Sequence, residues 1–579
     1  MWCAAYVVAI GLVLCTAQEA DYATVRVSGG LVRGYRTTSV RGTPYWNFQG
    51  LPYAAPPVGP LRFALMERGG QAGQGPELDV LGGVICRWQH TLTLTDWRTL
   101  FSEPQPAASW DDVRNATEEA PQCLQVGDAG DVVGDEDCLY LNVYTPELNA
   151  DIPRTVMVWI HGGGFVGGSP SKSEYGPDFF MDRDVVVTSI SYRLGTLGFL
   201  SLEDEVLPGN LGLKDQTAAL RWLRDNVAAF GGDPNAITLF GHSAGSASVA
   251  LHVLSPLSAG LFSRAIAQSG PPVGSVTLTT GARDKAFRLA RLLGYQGNDS
   301  QQFLDLLRAA DAKDLVDVDD RILTEEEKMR YIQFAFVPIV EPALAGAFLP
   351  EPPQTLAREG RFNQVPFITG VTTADGNMLL PMLEDPQWLE TLNTNLSAVL
   401  SGDFRDVDTP EEQQDLAAKV KDFYFGAGNN ITDTPEGLLN ASMMFTDIKF
   451  AEPTDSTLHL MANASSQTFY YYQFAYRGPN TPLPQYPGVA HGAEVQLEFM
   501  RENSTADLDP DSEDGRVRDR WVNMLTDFAK YGDPMANTSG VWQPFTRTSS
   551  YYLIVNTTDS LGQNKDEQRM QFWRQNMPL

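Results

Sequence analysis

A single serine fenced by glycines is the feature that most constrains the fold of this chain. The segment AITLFGHSAGSASVALHVLS, residues 236–255, runs from an apolar, β-branched stretch through the pentapeptide around Ser243 into a run of small residues. This pattern predicts a tight strand-turn-helix connection, in which the glycines remove Cβ atoms that would clash. Such a turn holds the serine hydroxyl above the edge of a sheet, near the N-terminus of the following helix.

Alternating strand-like and helix-like segments predict the fold class. The segments that alternate before and after the serine are the runs at 154–160, 184–192, 216–230, 365–371 and 467–476. Short apolar strands that alternate with amphipathic helices are typical of a parallel sheet covered on both faces. We therefore expect an α/β protein with a large, mostly parallel central sheet and helices on both faces. No linker divides residues 18–579 into separate domains.

The composition limits the partners of the protein. The chain carries 42 Lys and Arg against 72 Asp and Glu, a net charge of −30, and its pI is near 4.5. Nucleic acid and anionic membranes would repel such a protein, so neither is expected as a partner. The charge fits the solubility of an extracellular protein, and the steering of a cationic ligand is the alternative.

Residues 1–17 predict a secretory signal peptide. They have a short apolar core and end in small residues that favour cleavage after Ala17, although Lys and Arg are missing; a buried N-terminal strand is the alternative. No later run is apolar for long enough to span a bilayer, and the C-terminal sequence QFWRQNMPL has neither a retention tetrapeptide nor an anchor tail. Export to the extracellular fluid is therefore expected.

Secretion gives meaning to the cysteines and to the Asn-x-Ser/Thr sequons. Removal of the signal leaves Cys86, Cys123 and Cys138, of which two should pair in an oxidising compartment while one is left over. Nine sequons fit a secreted glycoprotein. They lie at Asn115, Asn298, Asn395, Asn430, Asn440, Asn463, Asn503, Asn537 and Asn556.

A second glycine-rich string strengthens the interpretation of Ser243 as a nucleophile. The segment VWIHGGGFVGG, residues 158–168, places three consecutive glycines after a strand, which lets backbone N–H groups approach a carbonyl oxygen. With both motifs in this order, a merely flexible turn becomes the weaker interpretation.

A nucleophilic serine needs a histidine as base and a carboxylate that orients it, in the chain order serine, acid, histidine. Of six histidines, His491 follows an aromatic strand in a glycine-flanked loop and is the candidate base. His252 lies two turns along the helix and is expected to be structural, and the turn is expected to point the side chain of His242 elsewhere. Asp375, in the loop ITGVTTADGNM, is the candidate acid, with a turn-capping role as the alternative.

Taken together, these segments resemble the type B carboxylesterase family, which includes cholinesterases and insect juvenile hormone esterases. The similar strings run through nearly the whole mature chain and include FQGLPYAAPPVGPLRF, EDCLYLNVYTP, VWIHGGGF, GNLGLKDQTAALRWLRDNVAAFGGDP, FGHSAGSASV, VPFITGVTTADG and GVAHGAE. The resemblance implies an α/β-hydrolase fold and the hydrolysis of a small carboxylic ester through an acyl-enzyme, with no metal or organic cofactor.

Carried onto this sequence, the resemblance implies a catalytic triad, an oxyanion hole and one disulfide bond. The triad would be Ser243 as nucleophile, His491 as base and Asp375 as acid; the oxyanion amides would be those of Gly163, Gly164 and Ala244; the disulfide would join Cys123 to Cys138.

Departures from the family pattern bear on activity and substrate. Asp375 stands where the family usually has Glu, so its contact with the histidine is expected to be the weakest link of the triad. His242 stands where cholinesterases have Glu. Choline recognition uses a tryptophan in the loop between the cysteines and aromatic residues after the acid, whereas residues 124–137 have no tryptophan and Met378 and Leu379 follow the acid. A quaternary ammonium would lack its cation–π partners, so an uncharged ester is the expected substrate.

Residues 64–101, which include Cys86, have no counterpart in the family pattern. A retained intron or gene-model error is expected here, and a real surface insertion is the alternative. The sequence thus predicts a secreted ester hydrolase. The alternatives are a non-catalytic adhesion or binding protein of the same fold and, within the enzymes, a lipase or a juvenile-hormone-type esterase.

Overall fold

A computed structural model describes residues 21–63, 105–330, 334–405, 407, 409–502, 508–537 and 540–577. The predicted signal peptide, the insertion at 64–101 with Cys86, and the sequon at Asn503 lie outside the described residues. Within these ranges, no helix has both the length and the apolar character needed to cross a membrane.

Strands are distributed over almost the whole described length. In chain order they are β1 (Tyr22–Val27), β2 (Gly30–Thr38), β3 (Pro44–Pro52), β4 (Arg114–Asn115), β5 (Gln125–Val126), β6 (Val132–Val133), β7 (Tyr140–Thr145), β8 (Arg154–Ile160), β9 (Val186–Ile190), β10 (Gly232–His242), β11 (Arg264–Gln268), β12 (Phe367–Thr372), β13 (Phe469–Phe474), β14 (Tyr551–Val555) and β15 (Ser560–Gln563).

One large sheet contains 13 of the described strands, in the order β1-β2-β3-β7-β9-β8-β10-β11-β12-β13-β14-β15 with β4 beside β2. From β9 to β14 each strand is parallel to its neighbour. Antiparallel pairs extend the sheet at both edges, through β7, β3, β2 and β1 on one side and β15 on the other. The predicted mostly parallel α/β sheet is therefore confirmed.

Helices connect the strands and cover the sheet. They are α1 (Asp178–Met181), α2 (Gly195–Phe199), α3 (Leu211–Asn226), α4 (Ala244–Leu254), α5 (Ala282–Leu292), α6 (Ser300–Ala309), α7 (Asp319–Ile322), α8 (Glu325–Met329), α9 (Pro353–Arg358), α10 (Pro386–Thr394), α11 (Leu396–Leu400), α12 (Pro410–Phe425), α13 (Pro435–Thr446), α14 (Glu452–Ala464), α15 (Val495–Glu498), α16 (Glu513–Tyr531) and α17 (Glu567–Asn576). A π-helical turn, Asp447–Ala451, joins α13 to α14.

Strand β8 shows why the central strands are apolar without interruption. Its alternate residues Val156, Val158 and Ile160 face the hydrophobic cluster that includes α3 and α4. Met157 and Trp159 face the opposite cluster, which includes α16. Because successive side chains of a strand point to opposite faces, a strand covered by helices on both sides must be apolar at every position.

The sheet brings the candidate catalytic residues to one edge. Ser243 directly follows β10, and Asp375 follows β12 after two residues. His491 lies in the long segment that follows β13. The carboxyl ends of parallel strands meet at the same edge of a sheet, which is where open α/β sheets place their ligand sites.

Candidate active site

Ser243 stands at a strained turn between β10 and α4. Its backbone has φ 59° and ψ −124°, and it is the residue immediately before the first residue of the helix. A non-glycine residue with positive φ outside the usual left-handed region costs free energy, on the order of 1–3 kcal/mol, and persists only where its surroundings enforce it. The Ser243 N–H donates to the carbonyl of Gln268 at 2.9 Å, which ties the turn to the end of β11.

Three glycines allow the backbones to close around this turn. A Cβ on Gly245 would lie 2.0 Å from the carbonyl oxygen of Ile160, and one on Gly241 would lie 2.7 Å from the same atom. A Cβ on Gly270 would lie 2.1 Å from the carbonyl oxygen of Ser243. These are backbone contacts that no rotamer change relieves, so the predicted role of the flanking glycines is explained by close packing of β8, β10 and α4.

A short hydrogen bond joins the candidate acid to the candidate base. The Nδ1 of His491 lies 2.7 Å from an Oδ atom of Asp375, whose carboxylate is completely buried. The second carboxylate oxygen accepts from the Thr372 N–H at 2.8 Å and from the Ser269 hydroxyl at 3.1 Å. These contacts hold the carboxylate and, through it, the orientation of the imidazole.

Backbone pairing between the two loops brings the shorter acidic side chain within reach. The Ala374 N–H donates to the Val489 carbonyl at 3.0 Å, and Ala374 forms an isolated parallel bridge with Ala490. In return, the Val489 N–H donates to the Thr373 hydroxyl at 2.9 Å. A Cβ on Gly488 would lie only 2.6 Å from the Ala374 Cβ, so this close approach requires a glycine. The aspartate therefore reaches the histidine despite lacking the methylene of a glutamate.

The glycine string after β8 forms a turn beside Ser243. Gly163 has φ 106° and Gly164 has φ 63°, and a Cβ on Gly163 would lie 2.1 Å from the carbonyl oxygen of Gly167. Within the described residues, no backbone acceptor takes the N–H of Gly163, Gly164 or Ala244. All three residues line the cavity that contains Ser243, so their amides remain the candidates for an oxyanion hole.

The cavity at Ser243 has a volume of about 350 Å³. Its walls include Ser243 and His491, together with six apolar residues, Ala244, Ala247, Val276, Phe334, Met378 and Phe450. No Asp, Glu or Trp of the described residues lines it. A second cavity of about 480 Å³ lies on the other side of Gly163 and Phe334, which line both cavities.

The side chain of His242 is oriented differently from the prediction made from the sequence. The prediction that the turn points its side chain elsewhere is wrong, because His242 lines the Ser243 cavity and its ring centroid lies 4.3 Å from that of His491. At this turn Ser243 has the unusual backbone conformation, whereas His242 is still the last residue of β10. Its side chain therefore continues the alternation of side chains between the two faces of the strand. Burial, followed by the electrostatic effects of His491 and Arg501, holds the pKa of His242 well below its usual value, which favours the neutral imidazole.

Two buried glutamates behind the site were not identified from the sequence. The carboxylate of Glu494 lies 3.3 Å from the Tyr472 hydroxyl, which donates to it, and 3.5 Å from the Ser269 hydroxyl. Burial and the charge of Asp375 raise the pKa of Glu494 well above its usual value. Glu498 accepts from the Trp521 indole at 2.7 Å and from Gln268, and burial raises its pKa to about 7. Both follow the candidate base within the segment HGAEVQLE, residues 491–498.

The structure also gives the surroundings of His252 and of the two cysteines. His252 is buried between Gln216 and Ser258, at 3.0 and 2.7 Å, which is the structural environment expected for it. Cys123 and Cys138 form a disulfide bond. Within the described residues, no group of three or more His, Cys, Asp or Glu side chains is arranged to hold a metal ion.

The sequons of the described residues lie mostly at the surface. Asn440 and Asn556 are half-buried. The six exposed ones are Asn115, Asn298, Asn395, Asn430, Asn463 and Asn537.

Comparison with known proteins agrees with this geometry. The chain is 31% identical to Esterase FE4 of Myzus persicae, an alignment that covers 92% of this chain and 88% of that protein. It is 30% identical to Venom carboxylesterase-6 of Apis mellifera, over 98% of this chain and 96% of the relative. It is also 30% identical to Esterase B1 of Culex pipiens, over 95% and 97% respectively.

The match to a protein family is nearly as long as the chain. Residues 21–68 and 98–573 match the description "Carboxylesterase family", and the match passes over 69–97, inside the segment predicted to be atypical. Esterase relatives over the whole length and a family match on both sides of this gap lead to one conclusion. The chain belongs to the carboxylesterase family of ester hydrolases, as its motifs predicted.

Proposed function

We propose that this protein hydrolyses uncharged carboxylic esters through an acyl-enzyme formed on Ser243. The observation that carries the proposal is the hydrogen bond between Asp375 and His491 at a cavity that Ser243 also lines. A non-catalytic member of the fold would have no need of a buried carboxylate that orients a cavity-lining imidazole. The arrangement therefore favours chemistry over the binding-protein alternative.

The geometry supports a conventional acyl-transfer sequence. His491 Nε2 takes the proton of the Ser243 hydroxyl as the oxygen attacks the ester carbonyl, and the buried carboxylate of Asp375 stabilises the imidazolium that forms. The amides of Gly163, Gly164 and Ala244 stabilise the oxyanion. His491 then protonates the leaving alcohol, and water releases the acid in a second, equivalent step.

The cavity supports an uncharged substrate. Its apolar walls would bury the acyl and alcohol groups of an ester, whereas the described lining has no carboxylate to compensate a desolvated cation. The aromatic residues Tyr175, Phe334 and Phe450 remain as weaker partners than a tryptophan would be. Met378 occupies the wall just after the acid, where an aromatic residue would be needed for choline.

We further propose that the protein is secreted as a glycoprotein after removal of residues 1–17. Six exposed sequons and the disulfide between Cys123 and Cys138 support an oxidising secretory route. N-terminal sequencing of protein recovered from the medium of expressing cells should begin at Gln18. Recovery only from the cell interior, with an intact N-terminus, would contradict this proposal.

Replacement of the proposed nucleophile tests the function directly. Ser243→Ala is expected to lower kcat for p-nitrophenyl acetate by at least about 10³-fold, because no acyl-enzyme can form. The exposed Ser173→Ala is the matched control and should retain wild-type kcat. A folded Ser243→Ala protein with wild-type activity would show that another residue carries the reaction.

Substitution of the candidate acid tests the triad. Asp375→Asn keeps the shape but cannot hold the histidine in the required tautomer, so kcat should fall by roughly 10⁴-fold. Asp375→Glu keeps the charge and should be more active than Asp375→Asn, although the added methylene in a fully buried site should cost about 1–3 kcal/mol in the free energy of unfolding. Ester hydrolysis and urea unfolding measure these effects. An Asp375→Asn enzyme with nearly full kcat would remove Asp375 from the triad.

A matched substrate pair tests the preference for an uncharged ester. Acetylthiocholine and S-(3,3-dimethylbutyl) thioacetate have the same shape, but the second has carbon in place of the cationic nitrogen. The neutral thioester should have a kcat/KM at least about tenfold higher, because the cavity offers no carboxylate to the ammonium. Equal or faster hydrolysis of acetylthiocholine would refute the proposed substrate class.

A further inference from the structure

Two imidazoles share the Ser243 cavity, and the proposed triad uses only one of them. The rings of His242 and His491 are 4.3 Å apart between centroids and inclined by 47°. Gly492, next to the proposed base, eases this approach, because a Cβ there would lie 3.2 Å from Cε1 of His242, a tight contact. His242 thus belongs to the reaction space rather than to the packing beneath it.

Each imidazole has a nitrogen without a protein partner. Among the described residues, the Nε2 atoms of His242 and His491 are both shielded from solvent and make no hydrogen bond. Leaving a buried polar atom unsatisfied costs roughly 1–3 kcal/mol, so such atoms in native proteins are usually paired with a protein group or with water. For His491 the proposed reaction supplies the partner, since its Nε2 exchanges protons with Ser243 and with water. The His242 nitrogen needs a partner of its own.

The second half of the reaction needs a group that the first half does not. During acylation the Ser243 hydroxyl has one hydrogen, and one base is enough to remove it. During deacylation a water molecule must enter a largely apolar cavity with two hydrogens and give only one to His491. Ordered water in a protein interior usually makes about three hydrogen bonds, so its second hydrogen requires an acceptor.

Two other hydroxyls that line the cavity already have a hydrogen-bond partner in the protein. The Ser269 hydroxyl donates to Asp375 at 3.1 Å, and the Thr277 hydroxyl donates to the carbonyl of Pro271 at 2.6 Å. Apart from the proposed nucleophile Ser243, Tyr175 is the remaining hydroxyl of the described lining. By contrast, the His242 ring beside the base has a nitrogen with no partner in the described structure, and a pKa lowered by burial favours the neutral ring, which can accept a hydrogen bond.

We propose that His242 is a second catalytic histidine, whose Nε2 accepts a hydrogen bond from the water that cleaves the acyl-enzyme. This inference rests on the proposed acyl-enzyme function. The water oxygen forms a bond to the acyl carbon while His491 takes one of its protons. His242 holds the other hydrogen without removing it. The bond from the acyl carbon to Ser243 Oγ then breaks, the proton on His491 returns to that oxygen, and the carboxylic acid leaves.

Two substitutions distinguish the effect of the hydrogen-bond acceptor of His242 from the effect of its aromatic ring. His242→Phe keeps an aromatic ring against His491 and Gly492 but has no acceptor, and His242→Gln keeps an acceptor without the ring. Stopped-flow hydrolysis of p-nitrophenyl acetate gives the acylation rate from the burst and the deacylation rate from the steady state. His242→Phe should slow deacylation at least about tenfold, the loss expected for one hydrogen bond, and change acylation less than about threefold. The acetyl-enzyme should then accumulate on intact-protein mass spectra.

Rescue distinguishes a role in holding water from a structural role. His242→Gln should recover part of the deacylation rate, and hydroxylamine, a stronger nucleophile than water, should release the acetyl group from His242→Phe at a rate close to that of wild type. Equal losses in acylation and deacylation would overturn the proposal and leave His242 as packing for His491. Unchanged rates would overturn it as well, as would a selective loss of deacylation in Tyr175→Phe instead.

The same experiment separates this inference from the function on which it rests. If the proposed function is wrong, the wild-type protein will form no acetyl-enzyme under any condition. If only the role of His242 is wrong, the wild-type protein will form the acetyl-enzyme and turn over. His242→Phe will then have the same ratio of deacylation rate to acylation rate as wild type.

Discussion

The backbone conformation of Ser243 is the constraint on which the rest of the site depends. Its positive φ is maintained because β8, β10, β11 and α4 close on it at distances that only glycine permits at 241, 245 and 270. The close packing places the serine at the carboxyl edge of the sheet, beside a cavity that Ala244, the first residue of α4, also lines. The strained turn therefore links the parallel sheet, a property of the whole fold, to the chemistry proposed for one side chain.

The departure at Asp375 shows how the backbone compensates a side chain. A glutamate, the usual acid of the family, would have one more methylene with which to reach the histidine. Here the loops before Asp375 and His491 pair with each other through Ala374 and Val489, and a glycine at 488 lets them approach. The resulting 2.7 Å contact makes this link comparable to any short charge-assisted hydrogen bond. The expected weak link is thus supported by the loops rather than by side-chain length.

The sequence predicted those parts of the structure that depend on local pattern. Uninterrupted apolar runs identified the parallel strands, and glycines in fixed positions around Ser243 identified the turn, because both signals arise from neighbouring residues. The orientation of His242 could not be predicted in this way. It depends on the alternation of β10 up to its last residue and on the absence of a Cβ at Gly492, which is distant in sequence. Glu494 and Glu498 were missed for a related reason, since only the fold reveals that their helix is buried behind the site.

Covalent trapping tests the central claim most directly. Incubation of the purified protein with a fluorophosphonate ester, which reacts with serine only where a base and an oxyanion site activate it, should label one residue per chain and abolish ester hydrolysis in proportion. Peptide mass spectrometry should place the adduct on Ser243, and Asp375→Asn should slow the labelling strongly. An adduct on a different serine, or full activity after complete labelling of Ser243, would contradict the account.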